Sequence, residues 1–161
     1  MSELARQTSA ITTFVPISEA IAKPERIARS PTPVLFNFPE PDWQDSVTDQ
    51  LKKILDLKEG WDGFRAGPIR HDVMVFAMHV LRDIMSRNTP APHITPMSHE
   101  GLMLEWHEND IELEVEIEKP AHLWVSYQDA RENIDEEKPI SSDLSMLTEP
   151  IDKLTKRRLE V

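Results

Sequence analysis

At 161 residues, 39% hydrophobic and 29% charged, the chain has the size and balance of one globular domain and is too short for two ordinary ones. Its formal charge of −11 repels phosphate, which weighs against duplex nucleic acid as a partner. The absence of cysteine excludes disulfides, thiol catalysis and cysteine-held zinc from this sequence and fits a reducing cytoplasm.

Residues 1–41 are rich in Pro, Ser and Thr and read as an irregular N-terminal arm, because proline cannot supply a helical amide donor. The start, MSELARQTSAITTF, has neither the basic opening nor the apolar core of a signal peptide. Ser18 to Arg29 can form a short helix broken at Pro24, and Val34–Phe38 is an apolar patch expected to dock on the same chain. No apolar run approaches the roughly 20 residues of a membrane span.

Asp42 offers a carboxylate to the free amides of a first helical turn. Trp43, Val47, Leu51, Ile54 and Leu55 then recur at helical spacing, predicting a helix over about 43–58. The next stretch, EGWDGFRAGP (59–68), holds three of the four glycines. Gly60 suits a left-handed helix ending, Gly63 a positive φ, and Asp62 a carboxylate-capped turn. Trp61 is expected in the core, with Phe64 and Ala66 filling the gap before Pro68. A second helix over about 70–87 carries Val73, Phe76, Ala77, Val80, Leu81 and Ile84 on one stripe.

Strands follow. His93–Thr95 can form a short edge strand, and Leu102–Trp106 reads as the next. Ile111–Glu118 alternates aliphatic and acidic residues, which puts four glutamates on one face. His122–Tyr127 completes an antiparallel meander with one covered face. Trp106 and Trp124 are expected to join Trp61 in the core. Residues 129–142 read as an acidic linker. Beyond them Leu144, Leu147, Ile151, Leu154 and Leu159 suggest a short amphipathic helix, with Pro150 near its start and a basic end at Lys153–Arg158.

Few residues form a chemical constellation. There is no G-x-S-x-G elbow, no phosphate loop and no H-E-x-x-H, so no catalytic, cofactor or metal site is expected. His99, Glu105, His107 and Asp110 are close in sequence but lack a metal-ligand spacing, and glutamates two residues apart need help from another strand to share an ion. His79 and Asp83 read as a surface pair. Glu112, Glu114 and Glu116 can meet a basic partner or simply form the wet face of a sheet. Leu147, Ile151, Leu154, Arg157 and Arg158 are the corresponding candidates in the tail, whose basic end would bind nucleic acid only weakly. An enzyme built on Asp62, Glu105 and His107 is the contrasting reading, and requires those side chains to converge.

The order of elements resembles a group of small uncharacterised bacterial proteins. The pieces that carry the resemblance are Trp61-Asp62-Gly63-Phe64, Ala66, Pro68-Ile69, Pro92, Pro96 and Gly101-Leu102-Met103-Leu104-Glu105-Trp106, across roughly 43–128. The sequence departs from that pattern at Glu100, where relatives have glycine, and at Arg70, where they have serine or threonine. The resemblance implies an accessory protein from paired, toxin–antitoxin-like genes or from phage and mobile elements, with no assigned catalytic activity.

The expected architecture is α+β: two helices on a small antiparallel sheet of three to four strands over 42–128, with the arm at 1–41 and the acidic linker and short helix at 129–161. The expected role is a cytoplasmic, non-enzymatic, antitoxin- or immunity-like protein that binds another protein encoded nearby. A phage or mobile-element assembly component is the alternative.

Overall fold

Strict alternation in Ile111–Lys119 organises the molecule, because it gives the central strand one dry face and one wet face. The structure, a computed structural model, describes residues 42–160. The N-terminal arm, with its expected helix at Ser18–Arg29 and apolar patch at Val34–Phe38, lies outside the described residues. The elements are α1 (Asp42–Leu55), α2 (His71–Ile84), β1 (His93–Pro96), β2 (Leu102–Glu108), β3 (Ile111–Lys119), β4 (His122–Asp129), β5 (Ile134–Ile140) and α3 (Ser145–Leu159). The strands form one antiparallel sheet in sequential order, β1-β2-β3-β4-β5. The fold is α+β, as expected, but has three helices and five strands among the described residues.

The fifth strand corrects the linker reading of 129–142. Its segment, IDEEKPI, looks solvated because one face is open and it lies at an edge of the sheet. At its ends Ile134 and Ile140 pack on the core, the inward positions between them hold the Glu136–Lys138 ion pair, and Asp135, Glu137 and Pro139 point outward. Pro139 is tolerated at an edge because, among the described residues, no further strand needs its missing N–H. The opposite edge is covered differently. Gln50 on α1 accepts the Ile94 amide at 2.8 Å and donates to the Pro92 carbonyl at 2.9 Å. These devices discourage pairing with another chain.

All three helices contribute to a single core with the inward face of the sheet. Val47, Val73, Leu81, Leu104, Trp106, Leu113, Val115 and Val125 lie within it. α3 adds Leu147, Ile151 and Leu154, each at most 1% exposed. Burying such a side chain contributes about 1.5–3 kcal/mol. These three residues, proposed from sequence as partner contacts, are therefore core residues of the same chain. An amphipathic stripe does not say which surface it will cover, and here the sheet is that surface.

An ion pair fixes the far end of α3. Asp129 is fully buried and Arg157 is 8% exposed. They meet in a two-pronged contact, Nη1 to Oδ1 at 3.1 Å and Nη2 to Oδ2 at 2.7 Å. Arg157 also donates to the Asn109 carbonyl at 3.0 Å. Asp129 accepts further bonds from the amides of Arg131 and Glu132 and from the Tyr127 hydroxyl. Burial raises the Asp129 pKa, but Arg157 and the two amides outweigh it and hold the carboxyl below its ordinary value. Arg157 is thus an internal strut, not the free surface charge expected of a partner contact. Arg158 remains exposed, near the Asn88 carbonyl. Lys153 is also engaged, with Glu132 at 2.7 Å and Glu149 at 2.9 Å, so much of the basic tail is neutralised within the chain.

The loop between α2 and β1 gathers the remaining elements. Trp43 donates its indole N–H to the Ser86 carbonyl, and Trp106 donates to that of Pro90. Thr89, fully buried, pairs its hydroxyl with Thr155 of α3 at 2.8 Å. Irregular backbone lacks regular partners, and side chains from three elements satisfy it here.

Removing one member of a buried ion pair leaves the other charged without a partner. Arg157→Ala is expected to cost about 3–5 kcal/mol in urea denaturation at neutral pH. Because the folded pKa of Asp129 is lowered, its contribution is complete above the unfolded value of about 3.9 and fades as pH falls through the folded value. Asp129→Asn should therefore lose less stability than the wild type when unfolding is compared at pH 6 and about pH 3.

Candidate functional site

Sheet register brings the outward side chains into three cross-strand rows. The first is Thr95, Met103, Glu116, Trp124 and Pro139. The second is His93, Glu105, Glu114, Ser126 and Glu137, and the third is His107, Glu112, Gln128 and Asp135. None of these positions is Lys or Arg. The helices all pack on the other side, and among the described residues nothing covers this face.

The middle of the face carries an unfavourable pair. Glu105 and Glu114 stand directly opposite on β2 and β3. Like charges in that position repel. Glu105 is the more buried of the two, and Thr95 donates a hydroxyl hydrogen bond to its Oε2. His107 Nε2 lies 3.7 Å from Glu105 and 4.0 Å from Glu114. His99 from the β1–β2 loop stands 3.3 Å from Glu116.

Glu105, His107 and Glu114 form a group of potential metal donors whose ligand atoms lie within 4.8 Å of one another. Strand pairing supplies the third member, Glu114, which linear spacing did not reveal. A tetrahedral transition metal holds N and O donors at about 2.0–2.2 Å, which sets neighbouring donor atoms about 3.4 Å apart. The separations of 3.7 and 4.0 Å around His107 are slightly wider than that. Asp62 is not part of this group. Its Oδ1 accepts the amides of Phe64 at 2.9 Å and Ala66 at 3.2 Å. The convergence of Asp62 with Glu105 and His107 required by the enzyme reading is therefore not found.

The EGWDGFRAGP stretch is a clasp. Gly60 and Gly63 have φ of 76° and 82°, as the turn requires. The Gly60 amide donates to the Ala66 carbonyl at 2.8 Å, and Trp61 donates its indole N–H to the Gly67 carbonyl at 3.0 Å. Ala66 and Ile69 are buried, while Trp61 is half-buried at the margin of the core. Phe64 departs from expectation: it is 86% exposed and fills no gap. Within the second part of the signature, Gly101 lets β2 approach β3 closely. A Cβ there would fall 2.7 Å from the Ile117 carbonyl oxygen. Arg70 makes no capping bond at the entrance of α2 but bonds to Asp72 instead.

Trp124 is the principal correction among the candidates. It was expected in the core, but Leu123, Val125 and Tyr127 occupy the inward positions of β4 and Trp124 is 47% exposed. Its neighbours across the sheet are Glu116 and Pro139. The alternation in HLWVSYQD carries this signal, and the aromatic character of Trp124 obscured it. Glu112, Glu114 and Glu116, by contrast, all lie on the outward face as the alternation predicts.

Comparison of the chain with protein-family models, with curated proteins and with solved structures finds no match.

Replacing Glu114 with glutamine removes the charge opposite Glu105 and keeps the shape. The expected result is a stability gain of about 0.2–1 kcal/mol in chemical denaturation at neutral pH, shrinking as salt is raised.

Proposed function

We propose that this protein is a non-enzymatic binding protein whose outward sheet face engages a basic partner protein. One observation carries the reading: Glu105, Glu112, Glu114, Glu116, Asp135 and Glu137 share the three outward rows with no Lys or Arg among them. Their mutual repulsion costs stability in the free chain, and an oppositely charged surface relieves it. Such complementarity steers encounter and selects partners. The face is carried by paired strands whose other side packs on the core, so little ordering is needed on binding. The resemblance of the signature residues to small bacterial accessory proteins supports an antitoxin- or immunity-like role toward a partner encoded nearby, in the cytoplasm.

The test is affinity purification of the tagged chain from its native host, beside Glu112→Gln, Glu114→Gln and Glu116→Gln combined. The wild type should retain a reproducible basic partner at low salt and release it at high salt. The triple variant, folded to the same circular dichroism spectrum, should retain little. No reproducible partner, or equal retention by both proteins, contradicts the reading.

A further inference from the structure

Beside the first outward row, the sheet end opens into a groove of about 730 Å³. Trp124 and Pro139 form part of its lining, and Glu116, Glu118, Asp143 and Met146 contribute to the rest. The groove lies where the β3–β4 turn, the end of β5 and the start of α3 come together. Among the described residues no lysine or arginine lines it, while three carboxylates and His122 do. The Asp143 carboxylate accepts the Ser145 amide at 3.0 Å, a bond that holds it below its ordinary pKa.

Trp124 is chemically unlike the other tryptophans. Trp43, Trp61 and Trp106 donate their indole N–H groups to backbone carbonyls within the fold. Trp124 has no such partner among the described residues and leaves nearly half its surface open. An indole face attracts cations, and a planar guanidinium both stacks on it and forks toward carboxylates. Proline beside it adds an apolar wall for a methylene stem. The β5 edge, with its charges and Pro139, is poorly suited to accepting an added strand.

We infer that this groove seats an arginine side chain from a basic segment of the partner protein, with its guanidinium on Trp124 and its charge facing Glu116, Glu118 and Asp143. This rests on the reading of the outward face as the partner surface and names the anchor within it. Charge complementarity selects the occupant: the groove presents acids and an open aromatic face to the incoming group.

The experiment uses the full chain and three synthetic hexapeptides: hexa-arginine, hexa-lysine and hexa-citrulline, the last a neutral analogue of the first. Binding is followed by calorimetry at low salt. Hexa-arginine should bind more tightly than hexa-lysine, and hexa-citrulline should not bind. Trp124→Ala should weaken hexa-arginine by about fivefold or more while leaving the melting temperature unchanged. Glu116→Gln with Glu118→Gln supplies a second route to the same loss without removing the ring. Loss of binding in Glu112→Gln with Glu114→Gln, but full binding in Trp124→Ala and in Glu116→Gln with Glu118→Gln, overturns the groove and leaves the face reading intact. No binding of hexa-arginine to the wild type, or equal binding of hexa-citrulline, overturns the arginine seat. In that case the affinity purification decides the face reading separately.

Discussion

A β-strand has two faces, and β3 cannot place its aliphatic residues against the core without aiming Glu112, Glu114 and Glu116 the other way. Most of the architecture follows from that constraint. β3 is the central strand, so its register positions β2 on one side and β4 on the other. A slip of one residue would bury glutamates and expose Leu113 and Val115, a cost large enough to fix the pairing. Once fixed, the same register sets Glu105 against Glu114 and Trp124 against Glu116. The chemistry of the outward face is therefore a consequence of the packing of the inward face.

The helices complete only one half of this arrangement. α1 closes the β1 edge through Gln50, α2 lies over β2 and β3, and α3 is held by Leu147, Ile151, Leu154 and the Arg157–Asp129 pair. That pair joins the last turns of α3 to the end of β4 and to the β2–β3 turn through Asn109. A buried ion pair is a poor source of net stability compared with apolar packing, but its geometry admits few alternatives. It sets where α3 stops along the sheet. The opening at the start of α3, with Trp124 and Asp143 on its walls, is positioned by the same docking.

Much of this was legible in the sequence, for identifiable reasons. Helical periodicity in α1 and α2 and alternation in β3 are strong signals because each repeats over many residues. The Asp62 turn was legible because its glycines and short carboxylate have few other uses. Other features depended on information that is not local. IDEEKPI has too few apolar residues to announce a strand, since β5 is an edge with one wet face. The docking of α3 depends on a surface assembled from α2 and the sheet. Arg157 looked like one charge in a basic tail because its partner, Asp129, is distant in sequence. Trp124 shows a different failure: its size suggested burial, while its position between Leu123 and Val125 indicated the opposite. The Glu105–His107–Glu114 cluster required the cross-strand register and could not be read from one strand.

The central claim is that the outward sheet face, not the helical surface, meets a basic partner. Carboxyl labelling followed by mass spectrometry measures this directly, by comparing each acid in the free chain and in the purified complex. The account predicts that Glu112, Glu114, Glu116 and Glu137 lose reactivity in the complex while Asp49 and Asp83 on the helices keep theirs. Unchanged labelling of the sheet acids, with protection confined to the helices, would contradict it.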